Sequence, residues 1–293
     1  MEPAPAPSEL TDFDKNWNYA NPKGTQDYFL SILPQARQSG DASRLGQLLT
    51  QIARAQGLQG NFEEAHKILD EAEPMADIPQ VAVRLLLERG RALNSSNQAD
   101  LARPLFQEAW DRALKAGLEF HAVDAAHMLG IVEKGEAAVA WNEQAMVHAE
   151  KAKNPEARLW LGSLYNNLGW THLDQKKNPE KALELFRKAL KWREAKGQER
   201  ETRIARYCVA RAARALGRLE EALAIQQDLH AQWLKAGERD GYVCEEIGEC
   251  LLALGSPLEA KPFFRQAHEE LSQDEWLVEH EKVRLERIKS LST

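Results

Sequence analysis

The sequence predicts an all-α repeat protein, and three observations carry the prediction. One stretch, Tyr165 to Trp192, reads as two helices with a tight break at Lys176 to Asn178. The same pattern recurs along the chain at a period near 40 residues. Glycines that close predicted helices fall at Gly40, Gly117, Gly197 and Gly237, separated by 77, 80 and 40 residues, which supports that period independently.

In the first half of the 165–192 stretch, Tyr165, Leu168 and Gly169 share one helical face. A mid-helix glycine costs roughly 1 kcal/mol against alanine, so a close approach of another helix is expected there. In the second half Ala182, Phe186 and Ala189 form a small-large-small stripe suited to lie against that glycine. Asn178 and Pro179 supply an N-cap and a first-turn proline. The product is an antiparallel helical hairpin.

Leu168-Gly169, Ala182, Phe186 and Ala189 resemble the tetratricopeptide repeat signature. This copy carries one extra residue between Gly169 and Ala182. The glycine-equivalent positions are Ala53, Gly90, Gly130, Gly169, Ala210 and Gly248, spaced 37, 40, 39, 41 and 38 residues apart. Six copies at that spacing are longer than the common repeat of about 34 residues. They resemble the long-repeat branch seen in kinesin light chains and bacterial peptide sensors, over about residues 25–291. The resemblance implies a right-handed α-solenoid of six hairpins with a leading and a C-terminal capping helix.

Taken in order, residues 1–24 are expected to be a disordered leader with an N-terminal aromatic cap, and residues 25–293 a single solenoid domain. Residues 1–10 are rich in proline and alanine, which argues disorder. Phe13, Trp17 and Tyr19 read as a hydrophobic lid, with an aromatic binding patch as the rival reading. A leading helix is expected from Thr25 to Ser39, kinked or broken at Pro34. Asn61 with Glu64 and Ser256 with Glu259 have capping-box spacing. The third copy is short: Gly130 and Ala137 are 7 apart, against 12 for Gly90 and Ala102, so its first helix should end early or its hairpin tighten. Trp110, Trp192 and Trp233 sit late in second helices, where solenoids bury large residues. Beyond Gln273 one more helix, to about Leu291, should close the end.

The chain has 293 residues, 43% hydrophobic and 28% charged, with net charge -7. That suits a folded protein and speaks against nucleic acid as a bulk partner. No run of 18 apolar residues is present and the N-terminus is not a secretory signal, so no membrane partner is expected and the expected location is cytoplasmic. Cys208, Cys244 and Cys250 are too few for a disulfide framework, which fits a reducing compartment.

Catalytic constellations are weak. His121, Asp124 and His127 could share a helix side, but without a fourth ligand or zinc-enzyme spacing. Cys208 has no supporting motif, and no phosphate loop or dinucleotide fingerprint occurs. The reading is therefore no enzyme, no cofactor and no metal.

In the resembled family the first helix of each hairpin lines a concave groove, at positions 3 and 2 before the glycine and 1 after it. Carried over, these positions and one a turn later give Arg54, Arg91, His127, Asn166, Asn167, Trp170, Tyr207, Arg211 and Arg214 as candidate binding residues. The last copy supplies Glu245, Glu246 and Glu249 instead. Arginine forks and asparagine amides suit carboxylates and peptide backbones, and Trp and Tyr give rigid contact area. The rival is a solvated polar face with internal ion pairs. Some family members clamp a partner's C-terminal carboxylate; Asn167 matches the central asparagine of that clamp, but His127, Ile131, Ile204 and Cys208 hold its other positions. The expected function is a non-catalytic scaffold that takes a protein or peptide segment, acidic or C-terminal, in its groove. The alternative is a ligand- or peptide-sensing regulator acting on a separate output protein.

Overall fold

The computed structural model describes residues 8–293, and the expected disorder of residues 1–7 lies outside the described residues. The described residues contain fifteen α-helices and no strand. The chain divides into two compact units, one up to Leu164 and one from Tyr165.

The first unit opens with α1 (Pro22–Gln38) and continues as three hairpins. These are α2 (Ala42–Leu58) with α3 (Phe62–Ala72), α4 (Pro79–Ser95) with α5 (Ala99–Ala116), and α6 (Glu119–Val132) with α7 (Gly135–Lys151). The helix α8 (Leu161–Trp170) contains the boundary. The second unit continues with α9 (Pro179–Ala195), α10 (Glu199–Ala215), α11 (Leu219–Lys235), α12 (Gly241–Ala253) and α13 (Pro257–Leu271). It closes with α14 (Glu275–His280) and α15 (Lys282–Leu291).

Each hairpin is locked as the stripe argument requires. A Cβ built on Gly90 would come to 2.8 Å from Phe106 Cζ, and one on Gly248 to 2.8 Å from Phe264 Cε1. Where the position holds alanine, the facing stripe residue is smaller than phenylalanine: Leu69 for Ala53 and Gln226 for Ala210. In the third copy Asn142 stands in for the aromatic, 2.6 Å (Cγ) from a Cβ on Gly130.

The turn inside each hairpin needs one residue with positive φ. Gly60, Asn97, Gly217 and Gly255 fill it, each seven residues after the glycine-equivalent position. In the copy at residues 165–192 it is Lys177, eight residues after Gly169. The extra residue is absorbed as a π-turn over Thr171–Gln175, with Lys176 N–H donating to Thr171 O at 3.1 Å. The third copy is shortened as expected: α6 ends two residues after Gly130, whereas α4 runs five beyond Gly90.

Five expectations need correcting. The leader is ordered from Ser8 on, because Glu9 and Phe13 find buried partners that composition cannot reveal. The first helix starts at Pro22, since the Asn21 side chain accepts from Gly24 N–H at 3.0 Å, and it runs through Pro34 without a break. Asn61 and Ser256 make no side-chain cap; the Asn61 amide donates instead to Gln56 Oε1 at 2.9 Å. The closing helix is two, parted at Glu281 in a stretch with no buried apolar residue between Leu277 and Leu285. Of the three tryptophans expected in the core, Trp110 and Trp233 are buried and Trp192 is only half-buried beneath Lys196.

Candidate functional site

In the second unit, Arg203, Tyr207, Arg211 and Arg214 recur at helical spacing along α10 and face α12. With Trp170, Arg284 and Arg287 they line a cavity of about 870 Å³. Most of its charges are already matched. Arg214 donates to both carboxylate oxygens of Glu246, at 2.8 and 3.0 Å, and Arg211 lies 3.1 Å from the same group. Arg284 donates twice to Glu245, at 2.9 and 2.5 Å, and Arg287 pairs with Glu249. Glu245 and Glu246 are buried, and a buried carboxylate is tolerable only when paired. The acidic last copy is thus the counter-charge to α10 and α15.

The lining groups that stay unmatched among the described residues include Arg203, Asp174 and Tyr207. The Arg203 guanidinium lies 3.9 Å from the Trp233 ring centroid but makes no ion pair. Asp174, exposed in the π-turn, has no cationic partner. The Tyr207 hydroxyl makes no hydrogen bond, and burial pushes its pKa above the usual phenol value, so it stays protonated. The Trp170 ring centroid sits 5.3 Å from Phe186 and 6.5 Å from Tyr207. It therefore touches the hairpin stripe as well as the cavity. Asn166 accepts from the Cys208 thiol at 3.4 Å, at the margin of this group, and Asn167 is exposed apart from it.

In the first unit Arg54, Arg91 and His127 are engaged too. Arg54 and Arg91 both pair with the buried Glu88, at 3.1 and 2.5 Å, and Arg91 pairs also with Asp124. Burial raises the Asp124 carboxyl, but Arg91 and Arg54 outweigh it and hold the pKa below the usual value. Burial pushes the His127 pKa down; its Nδ1 lies 3.4 Å from Asn142 Oδ1. His121, Asp124 and His127 go to separate partners, and among the described residues no three His, Cys, Asp or Glu side chains are grouped to hold a metal.

What the sequence reading missed is the leader. Glu9, Asp14 and Trp17 reach the first helices of the three hairpins, and Arg54 is flanked by Trp17 and Tyr19 at 5.8 and 5.6 Å. No local sequence signal marks these pairings, since the partners lie 34 to 112 positions away.

Catalytic chemistry finds little support. Burial pushes the Cys208 and Cys244 thiols up to about 12 and Cys250 to about 11, so none is a thiolate near neutrality. No described helix is long and apolar enough to cross a membrane.

The tetratricopeptide repeat family model matches residues 156–196. No curated protein matches the sequence significantly. A signal-transduction ATPase with a tetratricopeptide repeat sensor, from Pyrococcus horikoshii, superposes with a TM-score of 0.72 at 15% identity, over 91% of this chain and 42% of its own. This chain thus spans under half the length of that ATPase. The apo form of RapI gives 0.71 at 11% identity, over 91% of this chain and 76% of that one. The apo quorum sensor NprR from B. thuringiensis gives 0.54 at 12% identity, over 93% and 81%. With its glycine–aromatic hairpins, its one matched repeat and these folds beside it, the described residues have an all-α fold like that of tetratricopeptide repeat solenoids.

Proposed function

We infer that the protein is a non-catalytic binding module and that the cavity of its second unit takes a peptide segment. The observation that carries this reading is the set of unmatched groups there. Arg203 offers a cation, Asp174 a carboxylate and Tyr207 a hydroxyl, beside the Trp170 ring, in a cavity of about 870 Å³. A peptide supplies matching groups in one ligand: a carboxylate for Arg203, an amine or amide donor for Asp174, and apolar area for Trp170. An acidic or C-terminal segment is thus read by Arg203, since Arg211 and Arg214 are committed to Glu246. The three cysteines are free thiols, in keeping with a cytoplasmic location.

A second reading, a ligand sensor acting on a separate output protein, draws support from the sensors that share the fold. Both readings need a ligand in the cavity. Selection of binders from a random peptide library on the full chain tests this. The selected peptides should bind the Trp170→Ala protein at least about ten-fold more weakly, with its helical circular dichroism unchanged at the assay temperature, although loss of the Phe186 contact lowers its melting temperature. Equal affinity would place binding elsewhere.

A further inference from the structure

The segment Ser8–Asn21 crosses the first unit as an irregular run of bends and turns around a 3-10 turn at Phe13–Asn16. Phe13 is its one fully buried apolar anchor. The other anchors are polar, one for each successive hairpin. The Trp17 indole N–H donates to Gln51 Oε1 on α2 at 2.8 Å. Asp14 accepts from Arg84 on α4 at 3.0 and 2.6 Å. Glu9 accepts from the backbone N–H groups of Phe120 and His121, in the first turn of α6, at 2.9 and 3.3 Å. The same carboxylate lies 2.9 Å from His121 Nδ1 and accepts from Asn154 Nδ2 at 2.7 Å. Backbone N–H groups of Glu9 and Leu10 donate in turn to Glu156, at 2.8 and 3.1 Å.

These are contacts of the kind a groove makes with a bound peptide: main-chain pairing, a forked arginine on a carboxylate, and an amide on an indole. The segment fills its groove incompletely. A cavity of about 410 Å³ remains between it and the helices. Four polar atoms among the lining residues are buried without a hydrogen-bond partner: Trp160 Nε1, Arg54 Nε, Arg84 Nε and Glu88 Oε2. Unmet buried donors and acceptors weaken the docked state.

We propose that the first helices of this unit form a second peptide site, specific for a segment with two carboxylates five positions apart and an indole three positions after the second. The chain's own residues 8–21 occupy it in cis. A partner segment of that chemistry binds by displacing them, so its apparent affinity falls by the fraction of time the site is vacated. The cavity of the second unit plays no part, so this proposal and the preceding one stand or fall separately.

The test uses the full chain and a fluorescent synthetic peptide of residues 8–21. Glu9→Gln with Asp14→Asn in the chain removes the cis carboxylates and leaves every groove residue in place. The doubly substituted chain should bind the peptide at least about ten-fold more tightly than the unsubstituted chain, as trans carboxylates replace the missing ones. A peptide carrying the same two substitutions should bind neither chain. Equal peptide affinity for the two chains overturns the proposal. So does loss of helical circular dichroism in the substituted chain, which would make residues 8–21 part of the core rather than an occupant.

Discussion

The ring of Phe186 fills the space a side chain on Gly169 would need: a Cβ there would lie 2.6 Å from Phe186 Cδ1. That fit helps close the hairpin of α8 and α9, with Trp170 and Leu173 packed beside it. Gly169→Ala gains roughly 1 kcal/mol of helix propensity but forces the ring aside, an overpacking cost of about 1–3 kcal/mol. The substitution should lower the melting temperature, and adding Phe186→Leu should recover part of the loss, as the Ala53 and Leu69 combination of the first hairpin suggests. A double-mutant cycle checks this. Additive effects would show that the two positions do not share the space.

The π-turn at Thr171–Gln175 holds the one residue this copy has in excess. Deleting the exposed Gln175 restores the 12-residue spacing from glycine to alanine found in the second copy, and should convert the turn to regular helix. The expected cost is less than about 2 kcal/mol, read by thermal unfolding. Loss of cooperative unfolding would mean that the turn is required by the packing around it.

Much of this was legible in the sequence because it is local or periodic. Gly169 and Phe186 lie within one hairpin, and Gly130 to Ala137 shows its missing residues by counting. The candidate groove was less legible. Helical spacing correctly put Tyr207, Arg211 and Arg214 on one face, but gave no hint that Glu246 would take two of those charges. The carboxylate sits 32 residues or more from both arginines, and periodicity ranks an exposed arginine and a paired one alike. Prolines and alanines argue disorder over residues 1–10, yet Glu9 accepts from the Phe120 and His121 N–H groups 111 and 112 positions away.

That pairing makes stability depend on pH. Burial raises the Glu9 and Asp14 carboxyls, but His121 with the Phe120 N–H, and Arg84, outweigh it and hold both below their usual values. A carboxyl with a lowered folded pKa stabilises fully above its unfolded value, about 4, and loses that contribution as pH falls through the folded value. The melting temperature of the unsubstituted chain should therefore exceed that of Glu9→Gln with Asp14→Asn at pH 7. The gap should close as pH drops below about 4. A gap independent of pH would show that the carboxylate charge is not what holds the leader.

The central claim is that the second unit binds a peptide through Trp170 and Arg203. Isothermal titration of one library-selected peptide into the unsubstituted, Trp170→Ala, Arg203→Ala and Arg211→Ala proteins tests it most directly. Trp170→Ala and Arg203→Ala should each weaken binding by about 1–3 kcal/mol, whereas Arg211→Ala, whose charge rests on Glu246, should weaken it by less. Arg203→Ala and Arg211→Ala should keep their melting temperatures to within a few degrees, roughly what 1 kcal/mol moves, whereas Trp170→Ala, which also loses its contact with Phe186, should melt lower but stay folded at the assay temperature. Affinities unchanged by the Trp170 and Arg203 substitutions, with all proteins folded, would contradict the account.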